Sequence, residues 1–280
     1  MPTITTNTSA NTALRYLNIN SAEQNDNLAK IASGSRITRA SDDAAGLAIG
    51  TALQTDVATL KQASTNTSHG VSVLSTADGG MASINDILQR MKVLTTQSVS
   101  GTNSATELGF IQSELDALVS EVNDIAAATS FNGQSLLDGT TSYATGVAFM
   151  AGTSATDVLT VTINAVDANT LGLSTAGVTN LDVVTDAASR TAALTAIDTA
   201  IDSLSTARAA TGAQMSRFEY RSDMLATSTE NIDAAQSAIM DTDIAAEQAE
   251  LSSNEVKTDA AISALSKANE LPMKLLDLLR

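Results

Sequence analysis

The run Leu108-Gly109-Phe110-Ile111-Gln112-Ser113-Glu114-Leu115-Asp116-Ala117-Leu118-Val119-Ser120-Glu121-Val122-Asn123-Asp124-Ile125 decides the fold class. Its apolar residues Leu108, Ile111, Leu115, Leu118, Val122 and Ile125 fall in alternating steps of three and four, the spacing of a helical coiled-coil seam. A longer series runs Leu194, Ile197, Ile201, Leu204, Arg208, Thr211, Met215, Phe218, Ser222, Leu225, Thr229, Ile232, Gln236 and Ile239. As one helix it would span roughly 70 Å at 1.5 Å per residue. Upstream, Leu53, Leu60, Thr67, Leu74, Met81 and Leu88 repeat every seven residues, reinforced by Val57, Val71, Ile84, Met91 and Leu94. Gly79-Gly80 interrupts that seam, and because glycine costs about 1 kcal/mol in a helix interior, a bend or brief break is expected there. Gly101-Thr102-Asn103-Ser104 reads as the turn back into the Leu108 helix.

Weaker versions of the pattern mark both ends. Leu14, Leu17, Ser21, Gln24, Leu28 and Ile31 keep the spacing near the N-terminus, and Ile244, Leu251, Ile262 and Leu265 near the C-terminus. Seams diluted by polar residues are marginal as isolated helices, so these segments are expected to pair with each other or with neighbouring copies. Only the middle leaves the helical period. Residues 146–152 and 157–167 flank Thr153-Ser154-Ala155-Thr156, and Leu159, Val161 and Ile163 alternate with Thr160, Thr162 and Asn164, as in one arm of a half-buried hairpin. The Ser-, Thr-, Gly- and Asn-rich stretches 133–145 and 170–180 read as loops.

Composition narrows the function classes. A chain of 280 residues can bury a substantial core, but aromatic residues make up only 2% with no Trp, so Ala, Leu, Ile, Val and Met must fill it. Such side chains suit narrow helix-on-helix seams. A formal charge of −16 with only 15 dispersed basic residues argues against nucleic acid and against an anionic membrane surface. No apolar run approaches the roughly 18 residues that a spanning helix needs. The start Met1-Pro2-Thr3-Ile4-Thr5-Thr6-Asn7-Thr8 has neither a basic region nor an apolar block, so no ordinary secretory signal is expected. Zero cysteines rule out disulfides, thiolate metal sites and cysteine nucleophiles.

Candidate chemistry is sparse, and no catalytic, cofactor or metal residue is expected. His69 is the only histidine, which removes His-pair metal sites and most triads; it reads as a surface or interface residue. Asp42-Asp43 and Asp241-Thr242-Asp243 could suggest paired carboxylates or a divalent cation, yet both sit where helices should begin, where carboxylates cap exposed amides. No Walker A loop, dinucleotide fingerprint or EF-hand loop occurs. Arg208, on an otherwise apolar seam, is expected to snorkel to its edge.

Two motifs stand apart: Ser33-Gly34-Ser35-Arg36-Ile37 leading into Asp42-Asp43-Ala44-Ala45-Gly46-Leu47-Ala48-Ile49, and the closing Leu275-Leu276-Asp277-Leu278-Leu279-Arg280. With Leu88-Gln89-Arg90, Gln97-Ser98, Ile111-Gln112-Ser113-Glu114 and Thr129-Ser130-Phe131-Asn132-Gly133-Gln134-Ser135-Leu136-Leu137, they make the chain resemble bacterial flagellin up to about Ser142 and again from about Leu194. The resemblance implies a mainly α fold: a long, coiled-coil-like antiparallel bundle with paired terminal helices and a small β-hairpin at about 146–167. Residues 1–42 with 240–280 would form the inner terminal coiled coil, and 43–239 a rod-like domain, without the large outer domains of longer members. The implied function is a self-assembling filament subunit of the flagellum, secreted through the type III apparatus without a cleaved signal. The alternative is a hook-filament junction protein of the same plan.

The implied partners are further copies in a helical homopolymer, the export apparatus, a flagellin chaperone, the filament cap and the hook-filament junction proteins. Assembly would rest on Leu14, Leu17, Leu28, Ile31, Ile244, Leu251, Ile262, Leu265, Leu278, Leu279 and Arg280. The signature residues are Ser33, Gly34, Ser35, Arg36, Asp42, Asp43 and Gly46. Arg90, Leu94 and Glu114 resemble the patch seen by the vertebrate Toll-like flagellin receptor, but Lys92-Val93 and Thr95-Thr96 depart from the stimulatory pattern, so weak or absent signalling is expected. Leu271-Pro272-Met273-Lys274 departs from the usual Gln- and Asn-rich approach to the C-terminus, while the Leu-Leu-Arg ending is kept.

Overall fold

Long helices dominate the computed structural model, which describes residues 6–175 and 178–277. They are α1 (Thr8–Ser33), α2 (Ala44–Val99), α3 (Ala105–Ala128), the single turn α4 (Ser142–Thr145), α5 (Ala187–Met240) and α6 (Ile244–Asp277). Three antiparallel two-stranded hairpins occupy the middle: β1 (Ser130–Phe131) with β2 (Gln134–Ser135), β3 (Val147–Met150) with β4 (Val158–Val161), and β5 (Ser174–Thr175) with β6 (Val178–Thr179). The chain forms two compact units, residues 1–57 with 230–280 and residues 58–229.

The β3–β4 hairpin, in register Val147↔Val161 and Phe149↔Leu159, lies where the alternation of Leu159 and Val161 places it. The neighbouring stretches are more ordered than loops. β1 and β2 are joined by Asn132 (φ 50°) and Gly133 (φ 75°), both left-handed, the two-residue connection whose twist matches paired strands. The Asn-Gly dipeptide carries that signal in the sequence. Residues 170–180 hold β5 and β6 rather than loop alone, and α4 falls inside 133–145.

No break occurs at Gly79-Gly80: α2 is one helix from Ala44 to Val99. A methyl group on Gly80 would collide with Thr129 Oγ1 and Leu137 Cδ1, so the glycine admits the segment that follows α3. Gly70 likewise receives the Phe218 ring, which also meets Phe149 edge-on at 5.8 Å between ring centres. Each glycine weakens the helix locally, but the close approach it permits buries apolar surface on both partners.

The unit of residues 58–229 is filled by aliphatic layers. Leu74, Met81, Ile84, Leu88 and Met91 of α2 pack with Leu115 and Val122 of α3 and with Ile197, Leu204 and Phe218 of α5, all fully buried. In α3 the buried stripe is Leu108, Ile111, Leu115, Val119, Val122 and Ala126, while Leu118 and Ile125 are only half-buried. Steps of three, four, four, three and four follow the 3.6-residue period of an ordinary α-helix more closely than the 3.5-residue seam that the sequence pattern suggests. In α5 the same drift buries Ala193, Ala200 and Ala207 and leaves Leu194, Ile201 and Arg208 half-buried. Arg208 reaches Asp78, its Nε donating to Oδ1 at 2.9 Å. Ser104 caps α3 and exchanges hydrogen bonds with Glu107, a capping box spelled by Ser-x-x-Glu.

Candidate assembly interface

Two polar clasps organise the unit of residues 1–57 and 230–280. The first is the signature turn after α1. Gly34, left-handed at φ 70°, ends α1 with its N–H bonded to the Lys30 carbonyl at 2.9 Å. The turn then lies against the α5–α6 connection: Arg36 N–H donates to Met240 O (2.7 Å), Thr242 N–H to Gly34 O (3.1 Å), and Ser35 Oγ to Met240 O (3.1 Å). The Arg36 guanidinium donates to Ile239 O at 2.6 Å. Three donors thus serve the last carbonyls of α5, groups that a helix end leaves unpaired. The motif Ser33-Gly34-Ser35-Arg36 works as a cap for a helix two hundred residues away in sequence.

The carboxylates beside it also cap. Asp42 accepts from the backbone N–H groups of Arg39 (2.9 Å) and Thr38 (3.1 Å), and these bonds, the Arg39 amide foremost, hold its pKa below the usual carboxylate value. Asp43 accepts from Ala45 and Gly46 N–H at the start of α2, and Asp243 from Ala245 and Ala246 N–H at the start of α6. Gly46 has no room for a side chain, because a Cβ there would strike Asp43 and Ile37. Among the described residues no group of three or more His, Cys, Asp or Glu could hold a metal ion, and no helix is long and apolar enough to cross a membrane. His69 is exposed on α2.

The second clasp is the pairing of α1 with α6. Lys30 Nζ lies 3.4 Å from Glu247 Oε1, while Asn7 Nδ2 donates to Ala268 O at 2.8 Å, so one helix ascends as the other descends. Shielded series run through Ala10, Ala13, Leu17, Asn20, Gln24, Asn27 and Ile31 on α1, with Ala29 and Lys30 flanking, and through Glu247, Leu251, Asn254, Thr258, Ala261, Leu265 and Ala268 on α6, with Glu270 beyond. Both sets alternate steps of three and four, as an antiparallel coiled coil requires. Towards the signature-turn end of the seam Asn27 and Asn254 are buried. In the orientation that satisfies both ends of its amide, Asn27 donates to Glu23 O (2.9 Å) and Glu247 Oε1 (3.2 Å) and accepts from Asn254 Nδ2 at 3.3 Å. Lys257 Nζ completes the network by donating to Asn254 Oδ1 at 2.9 Å.

This seam divides the terminal residues singled out by the sequence. Leu17, Ile31, Leu251 and Leu265 lie on it, whereas Leu14, Leu28, Ile244 and Ile262 do not and are exposed, Leu28 by 56%. Tyr16, Ile19 and Val256 are exposed with them. The amide network takes a seam position that the pattern assigned to a leucine, because Asn27 and Asn254 can satisfy each other there. Leu278, Leu279 and Arg280 lie outside the described residues. The Arg90–Glu114 pair is on the surface at 2.6 Å, but Leu94 is 3% exposed and packs in the core, so it is not presented beside them.

Comparison with known proteins agrees along the chain. The bacterial flagellin N-terminal helical region matches residues 4–142, and the bacterial flagellin C-terminal helical region matches residues 194–279. The chain is similar to flagellin of Bacillus subtilis (strain 168), 37% identical with 98% of each chain covered. It is also similar to the flagellar filament 33 kDa core protein of Treponema phagedenis, 32% identical over 98% of each. Among solved structures, a putative flagellar hook-associated protein from Vibrio parahaemolyticus superposes with a TM-score of 0.59 at 14% identity, covering 71% of this chain and 100% of that one. At that identity the likeness concerns the fold alone.

Proposed function

We propose, from the premise that this chain belongs to the bacterial flagellin family, that copies of it join through the outward faces of α1 and α6. Family membership makes the protein a structural, non-enzymatic subunit that polymerises into the extracellular flagellar filament. The hook-filament junction alternative has only a fold-level likeness on its side. The single observation that carries the interface assignment is the exposure of Leu14, Leu28, Ile244 and Ile262 beside a seam that buries asparagine. A seam whose own burial is modest gains most from a neighbour that covers the leucines and isoleucines beside it, coupling the ordering of these helices to association.

Removing residues 1–40 and 245–280 is expected to leave a soluble, helical, cooperatively unfolding protein that forms no filaments. Circular dichroism checks the first part, and electron microscopy under conditions where the intact chain polymerises checks the second. Filaments of the truncated chain would overturn the assignment. The export apparatus, a flagellin chaperone, the filament cap and the hook-filament junction proteins are the further partners that this reading assigns. Toll-like flagellin receptor signalling is expected to be weak, since Leu94 is inside and Lys92-Val93 and Thr95-Thr96 depart from the stimulatory pattern. A reporter assay at full potency would contradict that.

A further inference from the structure

The far end of the terminal pair holds a contact that neither helix could make alone. α6 runs unbroken through Pro272, and proline has no backbone N–H, so the carbonyl four residues earlier, that of Ala268, loses its helical donor. Ala268 is 8% exposed, and a carbonyl that has lost its helical donor in so shielded a residue is best satisfied by another partner. It finds Asn7: the side-chain Nδ2 donates to Ala268 O at 2.8 Å, while Oδ1 of the same amide accepts from Ala10 N–H at 3.0 Å and caps α1.

We infer that Asn7 is a specificity-determining residue for the pairing of the chain's two ends, its amide replacing the hydrogen bond that Pro272 removes. The amide serves two helices at once, starting α1 and supplying the orphaned carbonyl of α6. With Pro272 at a fixed place, only one register sets the α1 cap opposite the carbonyl that the proline leaves without its helical donor. Sliding α6 by a turn would put Asn7 against a carbonyl already bonded within its helix and leave the Ala268 carbonyl unpaired. The signature turn fixes the near end of the pair, and Asn7 fixes the far end. The inference rests on the assembly reading for its consequence, since the helices it aligns carry the faces through which copies join.

Asn7→Asp separates the two roles. Aspartate caps a helix as well as asparagine does, but it has no amide donor and would turn a carboxylate oxygen toward the Ala268 carbonyl. Pro272→Ala restores the backbone N–H, so Ala268 O regains its helical partner. Full-length parent, Asn7→Asp, Pro272→Ala and the double variant are polymerised side by side, and the soluble concentration left at equilibrium is measured after sedimentation. Asn7→Asp is expected to raise that concentration by about tenfold, the equilibrium equivalent of one unpaired shielded polar group. The double variant should return to within about twofold of Pro272→Ala alone, because the two changes act on one bond. If Asn7→Asp polymerises like the parent, or raises the soluble concentration equally with and without Pro272, the inference is overturned. A parent chain that leaves no sedimentable filament overturns the assembly reading and with it this role.

Discussion

The two units differ in what fills the contacts between their helices. Between residues 58 and 229 the helices meet through fully buried layers of leucine, isoleucine and methionine, although Phe110, Tyr220 and Met224 stay exposed on the outside. In the α1·α6 pair the seam buries Asn27 and Asn254 in a network with Lys30, Glu247 and Lys257, while Leu14, Leu28, Ile244 and Ile262 face outward. The first arrangement suits a unit that must be stable by itself. The second suits helices whose best-buried state includes other copies, because a polar seam chooses a partner and register at the cost of stability.

The sharpest way to break this contrast is to attack the inward side. Leu115→Asp puts an unpaired carboxylate into a site with no exposure and should destabilise the unit of residues 58–229 by about 3–5 kcal/mol. An unchanged thermal midpoint would show that α3 is not packed as described.

A smaller effect is expected in the seam. Asn27→Leu leaves Asn254 Nδ2 without its acceptor and should destabilise α1·α6 by about 1–3 kcal/mol. Adding Asn254→Leu should recover most of that loss, since two leucines can pack together where one buried amide cannot be satisfied. A double-mutant cycle on urea-induced dissociation of filaments gives the coupling, and strictly additive losses would mean that the two amides do not interact.

The mildest perturbation concerns pH. The Ser104 backbone N–H and hydroxyl hold the Glu107 pKa below its ordinary value. The unfolded chain therefore binds the proton first, so the contribution of Glu107 is present above about pH 4.3 and lost as pH falls through the lowered folded value. Glu107→Gln keeps a capping side chain and should flatten the fall in stability below that pH while changing little at neutrality. Acid unfolding curves of the two proteins that coincide would contradict the capping box.

Much of the molecule is legible in its sequence because long periodic segments leave few alternatives. The three-and-four spacing from Leu108 and from Leu194 specifies long helices, and the Val161 alternation specifies a hairpin. The Asn132-Gly133 turn and the Ser104-x-x-Glu107 cap were equally readable from local chemistry. What spacing could not specify is which of several neighbouring stripes turns inward. A helix carrying Ala13, Leu14, Leu17, Asn27 and Leu28 offers more than one seam, and apolar content alone favours the leucines. The tertiary structure decided for Asn27 over Leu28 because only the facing helix brings Asn254 and Glu247 within reach. Likewise Gly80 reads as a helix breaker until Thr129 and Leu137 are seen to occupy the space it leaves, and Pro272 as an irregularity until Asn7 is seen to answer it. Local periodicity acts through each segment's own backbone, whereas these choices depend on atoms brought close from more than forty residues away.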